Sequence, residues 1–227
     1  MHDDPLCDLR ILESWHKNAQ AWTVAVRARQ IESRRLVTDR AIVDAVMERA
    51  PRSLLDLGCG EGWLIRALAD RVPQRVGVDA VPELIEAARS AGGGEFRVAS
   101  YERVAGGDFR FTADAVVCNF SLLGKESVEA TIGAVPRLLT STGVFVVQTL
   151  HPVVASPDRP YEDGWRPGTW TGFGSEFSDP APWYFRTLGS WVTLLRTAGL
   201  RLLELREPKH PSTGLPVSVI FIADVMR

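Results

Sequence analysis

The residues of this chain that could do chemistry fall in a few places. Leu54-Leu55-Asp56-Leu57-Gly58-Cys59-Gly60-Glu61-Gly62-Trp63 sets three alternate glycines between an apolar run and a helical pattern, with Asp56 two residues ahead of the first. Glycines there let the backbone bend sharply and approach a ligand with no Cβ in the way. A helix starting at once would offer that ligand unpaired N–H groups and a positive dipole end. Asp79 closes the next apolar run, Arg75-Val76-Gly77-Val78-Asp79. An acid in that place accepts from the two ribose hydroxyls of an adenosine-bearing ligand, or else caps the helix that follows. His151 follows the run Val144–Thr149 and precedes Pro152, which restricts its backbone to extended conformations. An imidazole titrates near neutrality, so His151 is the candidate general base. His16 is its rival, and a sufficiently acidic acceptor would need no base.

The pattern around these residues specifies the elements that must hold them. Ser53–Leu57, Arg75–Val78, Phe96–Ala99, Ala115–Cys118 and Val144–Thr149 read as buried strands, with helical patterns at Trp63–Arg71, Pro82–Ala91 and Val128–Leu139. Such alternation gives an α/β fold with right-handed crossovers and a mainly parallel sheet. Ahead of it, Ile11, Leu12, Trp15, Ala19, Trp22 and Val26 form one face of a helix, and a second helix is expected from Thr38 to Pro51 with Ile42, Val43, Val46 and Met47 inward. From His151 to about Pro182 the chain is rich in Pro, Gly and Trp and has no sustained period, as lids and binding loops do. A helix at Thr187–Thr197 and two strands, Leu200–Leu205 and Val217–Val225, close the chain as an antiparallel hairpin.

Composition narrows the function. The 227 residues suit one large domain, and 26 basic residues nearly balance 28 acidic ones, so the basic field that nucleic acids reward is missing. Nothing approaches the run of about 20 apolar residues that a membrane helix needs, and Met1-His2-Asp3-Asp4-Pro5 lacks the layout of a signal peptide. Cys7, Cys59 and Cys118 lie far apart and form no CxxC pair, which fits free thiols in a reducing cytoplasm and no metal site. A nicotinamide dinucleotide fold needs a small residue where Trp63 stands.

Asp56-x-Gly58-x-Gly60-x-Gly62 resembles the signature of class I S-adenosylmethionine-dependent methyltransferases, and the resemblance runs from about Ser53 to the C-terminus. It implies a Rossmann-like seven-stranded sheet with one antiparallel strand near the C-terminus, and helices on both faces. By resemblance, Gly58, Cys59 and Gly60 pass under the methionine part of S-adenosylmethionine, Asp56 orients the turn or meets the amino group, and Asp79 holds the ribose. Ala80 would lie against the adenine, Ser100 and Tyr101 at its edge, and Asn119 and Phe120 beside the methionine moiety. Arg34, between the two N-terminal helices, would pair with the donor's carboxylate; the other reading of Arg34-Arg35 is two solvated arginines. Residues 1–50 become a helical lid, 51–227 the donor-binding domain, and 151–186 an insertion that builds the acceptor site. Trp15, His16, Trp22, Trp165, Trp183 and Tyr184 are the candidates to line it, and lid and insertion are expected to close together. Asn119-Phe120-Ser121-Leu122 looks like the small-molecule branch that includes ubiquinone- and menaquinone-pathway enzymes. The expected acceptor is a small molecule with an oxygen, nitrogen or carbon nucleophile, and the product is S-adenosylhomocysteine. A binding module without catalysis stays open, as does monomer or homodimer.

Overall fold

The computed structural model describes residues 5–226, so the reading of Met1–Asp4, His2 included, lies outside the described residues. Helix α1 (Asp8–Arg27) leads through a π turn (Arg34–Thr38) into α2 (Asp39–Met47). Then follow β1 (Ser53–Leu57), α3 (Trp63–Ala67), β2 (Gln74–Asp79), α4 (Pro82–Ala91), β3 (Glu95–Val98) and α5 (Tyr101–Gly106). Next come β4 (Ala113–Asn119), α6 (Glu126–Leu138), β5 (Leu139–Thr149), a single turn α7 (Pro152–Ala155), β6 (Gly164–Arg166) and β7 (Trp183–Phe185). Helix α8 (Leu188–Thr197) and strands β8 (Leu200–Arg206) and β9 (Val219–Val225) complete the order.

Seven strands form one sheet in the order β3-β2-β1-β4-β5-β9-β8, with parallel pairing from β3 to β5 and β9 antiparallel to both its neighbours. This is the expected Rossmann-like architecture. Period-two alternation feeds two cores. Leu55, Val116, Phe145 and Phe221 pack on one face with Val104, Ile132 and Trp191 from α5, α6 and α8. Leu54, Val117, Val146 and Ile222 pack on the other with Ile42, Leu64 and Ile85 from α2, α3 and α4. The order of the strands reverses between β1 and β4, and ligands in open α/β sheets collect at the carboxyl ends beside such a point.

The structure corrects several boundaries. Helix α2 stops at Met47 rather than Pro51, and α3 leaves α-helical geometry after Ala67 rather than Arg71. Helix α5 has no counterpart in the sequence pattern, because Tyr101–Gly106 offers too few residues to show a period. The stretch from His151 to Pro182 is not structureless: α7 lies in it, and β6 pairs antiparallel with β7 at its far edge.

Helix α1 buries more polar groups than its apolar face suggested, namely Ser14, Asn18 and Thr23 beside Ile11, Ala19 and Ala25. The cause is its neighbour, a loop whose backbone must be satisfied. The Asn18 side-chain amide donates to Ser178 O at 2.8 Å and accepts from Ser178 N–H at 2.9 Å, and Ser14 Oγ donates to Asp179 O at 2.6 Å. At its start, Asp8 accepts from the backbone N–H groups of Lys125 (2.8 Å) and Ser127 (2.7 Å), capping the first turn of α6 from outside. At its end, Arg27 donates to Glu61 Oε2 at 2.9 Å and to Ala87 O at 2.8 Å. The helix is thus a strap fastened to the α6 entrance, to the 170s loop and to the glycine turn.

Candidate active site

Strand β1 delivers the glycine turn to the carboxyl edge of the sheet. Gly58 has φ +76°, and a Cβ there would lie 2.3 Å from Ser121 Cβ. Gly62 has φ +82° and packs so closely on Phe96 that a Cβ would lie 2.7 Å from its ring. No other residue fits either place without strain. The turn's own amides face inward. Gly58 and Cys59 N–H both donate to Val78 O (2.7 and 2.9 Å), and Gly60 N–H donates to Asp79 Oδ2 at 2.8 Å. A pyrophosphate cradle needs those donors free, so this turn is one a ligand passes over rather than an anion nest.

Asp79 takes Gly60 N–H on one oxygen and Val81 N–H, just ahead of α4, on the other (2.9 Å). A carboxylate offers about four lone-pair directions, so acceptor capacity is left over. Burial raises its pKa, opposed by those backbone hydrogen bonds. Asp56 is more isolated. It is buried, its Oδ1 has no hydrogen-bond partner, and burial together with the Asp79 charge pushes its pKa up to about 8.

Arg34 stands opposite in character. The structure buries it and leaves Arg35 exposed, which sets aside the reading of two solvated arginines. Its Nε donates to Asp39 Oδ1 at 2.9 Å, and its guanidinium lies 4.6 Å from the Trp63 ring centroid and 5.7 Å from that of Trp22. Its Nη2 is buried without a partner. Trp22 also covers the turn, since its Nε1 lies 3.5 Å from where a Gly60 Cβ would be. An unpaired donor on Arg34 and an unpaired acceptor on Asp56 are costly to leave dry, and together they suit the carboxylate and ammonium of an amino acid. The residues present therefore fit the donor that the glycine turn suggests.

Other expected site residues are placed differently. Tyr101 sends its hydroxyl to the glycine turn, 3.1 Å from Ser121 O and 2.9 Å from the place of a Gly58 Cβ, rather than outward beyond β3. Ser100 Oγ accepts from Arg103 N–H and so caps α5. Ala80 follows Asp79, half-buried. Cys59 is buried, its Sγ filling the space over Gly77, and burial pushes its thiol pKa up, as suits a packing residue. Phe120 has φ +53°, a backbone conformation uncommon outside glycine and frequent at functional edges. His151 is buried; its Nε2 lies 2.7 Å from Glu207 Oε1 and its Nδ1 accepts from Val153 N–H at 3.3 Å. With a carboxylate on Nε2 and a backbone N–H on Nδ1, His151 is the N-cap of α7.

The aromatic candidates separate into two groups. Trp15 and Trp22 from α1 join Trp170, Phe173 and Phe177, with Trp15–Trp170 centroids 6.0 Å apart and Trp22–Phe173 6.3 Å, so α1 and the 170s loop meet directly. His16 is exposed beside Glu83 at 3.2 Å. Trp165, Trp183 and Tyr184 belong instead to the β6–β7 hairpin, where Trp165 and Tyr184 stack edge to face at 5.5 Å. Tyr184 N–H donates to Leu123 O at 2.7 Å, bringing the hairpin to the end of β4. Leu122, Thr149, Leu150, Trp183 and Tyr184 there line a shallow depression with room for about one water molecule.

Sequence reasoning missed two groups. Glu61 is fully buried inside the turn, where both its carboxylate oxygens accept from Arg66 Nη2 at 2.6 Å and Oε2 also accepts from Arg27. Gln148 is buried on β5 with its amide on Asn119 and Thr38. A glutamine inside the apolar run Val144–Thr149 was the available signal for the second.

A Rossmann-like sheet, a glycine turn with its amides turned inward and an acid closing β2 fit the class of S-adenosylmethionine-dependent methyltransferases. A family model described as a methyltransferase domain matches residues 28–205, and the chain belongs to that family. It is 34% identical over 117 residues to the ubiquinone biosynthesis O-methyltransferase of Xanthomonas oryzae pv. oryzae, covering 48% of this chain and 47% of the relative. It is 32% identical over 118 residues to the demethylmenaquinone methyltransferase of Thermus thermophilus, covering 50% and 54%. The chain thus spans about half the length of the curated relatives it matches. In fold it is similar to the 1,6-didemethyltoxoflavin-N1-methyltransferase of Burkholderia thailandensis, solved with its substrate and S-adenosylhomocysteine, with a TM-score of 0.63 at 18% identity over 96% of this chain and 88% of that one. Among the described residues, no helix is long and apolar enough to cross a membrane.

Proposed function

We propose that this chain transfers the methyl group of S-adenosylmethionine to a small acceptor carrying an apolar ring. The observation that carries the proposal is the unpaired, buried Arg34 Nη2 and Asp56 Oδ1 beside the glycine turn. In this reading Arg34 binds the carboxylate of the donor's methionine part and Asp56 its ammonium. Gly58 and Gly60 leave room for the chain between them, and Asp79 accepts from the ribose hydroxyls with its remaining lone pairs. Ala80 and Ser100 stand on the adenine side. The sulfonium supplies an activated methyl group when bound, so the protein's work is alignment and the exclusion of water. The ring-bearing class of acceptor is supported by the aromatic cover that α1 and the 170s loop build together. Demethylmenaquinone, named for one relative, is an acceptor of that class. With His151 capped and paired, no protein base is assigned, and the acceptor's own acidity is expected to suffice.

Titration calorimetry with S-adenosylhomocysteine tests the donor half. The wild-type protein is expected to bind it, and Asp79→Ala to bind at least about tenfold more weakly, since hydrogen bonds to a charged acceptor contribute about 1.5–3 kcal/mol each. Equal affinity in the variant would remove the ribose assignment. Tight binding without turnover on any quinol, phenol or heteroaromatic amine would favour a binding module.

A further inference from the structure

Strands β4 and β5 place Asn119 directly opposite Gln148 in the parallel register, on the same face of the sheet as α2. Gln148 is almost wholly buried, and its three polar contacts fix which way round its amide lies. Its Nε2 lies 3.0 Å from Thr38 O, a backbone carbonyl that can only accept, so the nitrogen must face that side. Its Oε1 in turn accepts from Ser218 Oγ at 3.3 Å. The second proton on Nε2 goes to Asn119 Oδ1 at 2.7 Å. With its oxygen held by Gln148, Asn119, the last residue of β4, must point its own Nδ2 away from Gln148. Asn119 is half-buried, and its NH₂ group has no protein partner among the described residues.

Thr38 is the last residue of the π turn that begins at Arg34. The same Gln148 nitrogen therefore ties together the turn that carries the unpartnered Arg34 Nη2 and the side chain whose NH₂ group has no protein partner among the described residues. We propose that Gln148 is a positioning residue: it sets Asn119 with its N–H outward and holds the Arg34 turn against β5, so that both donors meet one carboxylate. This rests on the donor reading above, in which that carboxylate belongs to the methionine part of S-adenosylmethionine. The role is one of polarity rather than bulk. A side chain of the same size that cannot donate would leave the packing and lose the orientation.

The test compares two ligands that differ only at the relevant end. S-adenosylhomocysteine carries the carboxylate, and 5′-methylthioadenosine keeps the nucleoside and sulfur but has no amino-acid group. Gln148→Met retains volume and removes the clamp. Gln148→Glu accepts from Asn119 where Gln148 donated, and so turns the Asn119 oxygen outward. By calorimetry, Gln148→Met is expected to bind S-adenosylhomocysteine about three- to tenfold more weakly and Gln148→Glu more weakly still, with 5′-methylthioadenosine within twofold of wild type for both. Should Gln148→Glu fail to fold, the Met variant decides alone. Unchanged affinity for S-adenosylhomocysteine in Gln148→Met, or an equal loss for both ligands, overturns the positioning role. Failure of the wild type to bind S-adenosylhomocysteine is a different result and removes the donor reading itself. Side-chain amide NMR gives an independent readout: Gln148 protons should exchange slowly with or without ligand, and Asn119 protons should slow only when S-adenosylhomocysteine is added. Asn119 protons already protected in the free protein would also overturn it.

Discussion

At the scale of the residue, Asp56 carries the most testable chemistry. Burial first and the Asp79 charge second push its pKa up to about 8, so near neutrality the free protein holds it protonated. A group whose folded pKa lies above its unfolded value stabilises the fold fully below the unfolded pKa. That contribution declines as pH rises through the window to about 8. Replacing the acid by a neutral amide, in Asp56→Asn, should therefore flatten the fall in denaturation midpoint between about pH 4 and 8. A ligand ammonium beside Asp56 acts in the opposite sense and favours the carboxylate. Binding of S-adenosylhomocysteine at pH 7 should then release close to one proton, read from calorimetric heats in buffers of differing ionisation enthalpy. Asp56→Asn should abolish the release. A buffer-independent heat in the wild-type protein would show that the ammonium lies elsewhere.

At the scale of the element, α1 lays Trp22 over the glycine turn and is held in place by three fastenings. Its three fastenings differ in kind: a carboxylate capping another helix, an amide answering a loop's backbone, and an arginine on the buried Glu61. The middle one is the most exposed to a single change. Asn18 is fully buried, and Asn18→Ala leaves Ser178 N–H unanswered, at a cost of about 1–3 kcal/mol, while Ser178 O keeps its hydrogen bond from Trp170 Nε1 at 2.8 Å. Amides of α1 and of residues 170–180 should exchange faster in that variant, with those of β4 and β5 unchanged. In the wild-type protein, S-adenosylhomocysteine should slow exchange in both segments together. Protection confined to the glycine turn and β2 would mean that the strap does not respond to the ligand. The apolar spacing of Trp15, Ala19 and Trp22 made this helix legible, but not its path, because Asn18 and Ser14 find partners about 160 residues away.

At the scale of the whole molecule, one sheet separates two cores, and neither can be opened cheaply. Phe145 is fully buried on the α6 face, and Phe145→Ala should lower stability by about 3–5 kcal/mol in urea denaturation. A loss below about 1 kcal/mol would mean that the face collapses to fill the space. The architecture itself was determined by the sequence: period-two and 3.6-residue patterns are local, and the alternation of strand and helix leaves few topologies once crossovers are right-handed. The glycine turn and Asp79 were legible for the same reason, since backbone freedom and the end of a strand are read along the chain. The sequence alone could not say that the turn's amides are spent on Val78 and Asp79, that His151 is held by Glu207, or that Tyr101 turns inward. Nor could it show that Gln148 holds Asn119 and the Arg34 turn at once. Those are matters of which polar groups find each other across distant segments. Only tertiary packing decides them, because a buried donor or acceptor takes whatever partner the fold brings within about 3 Å.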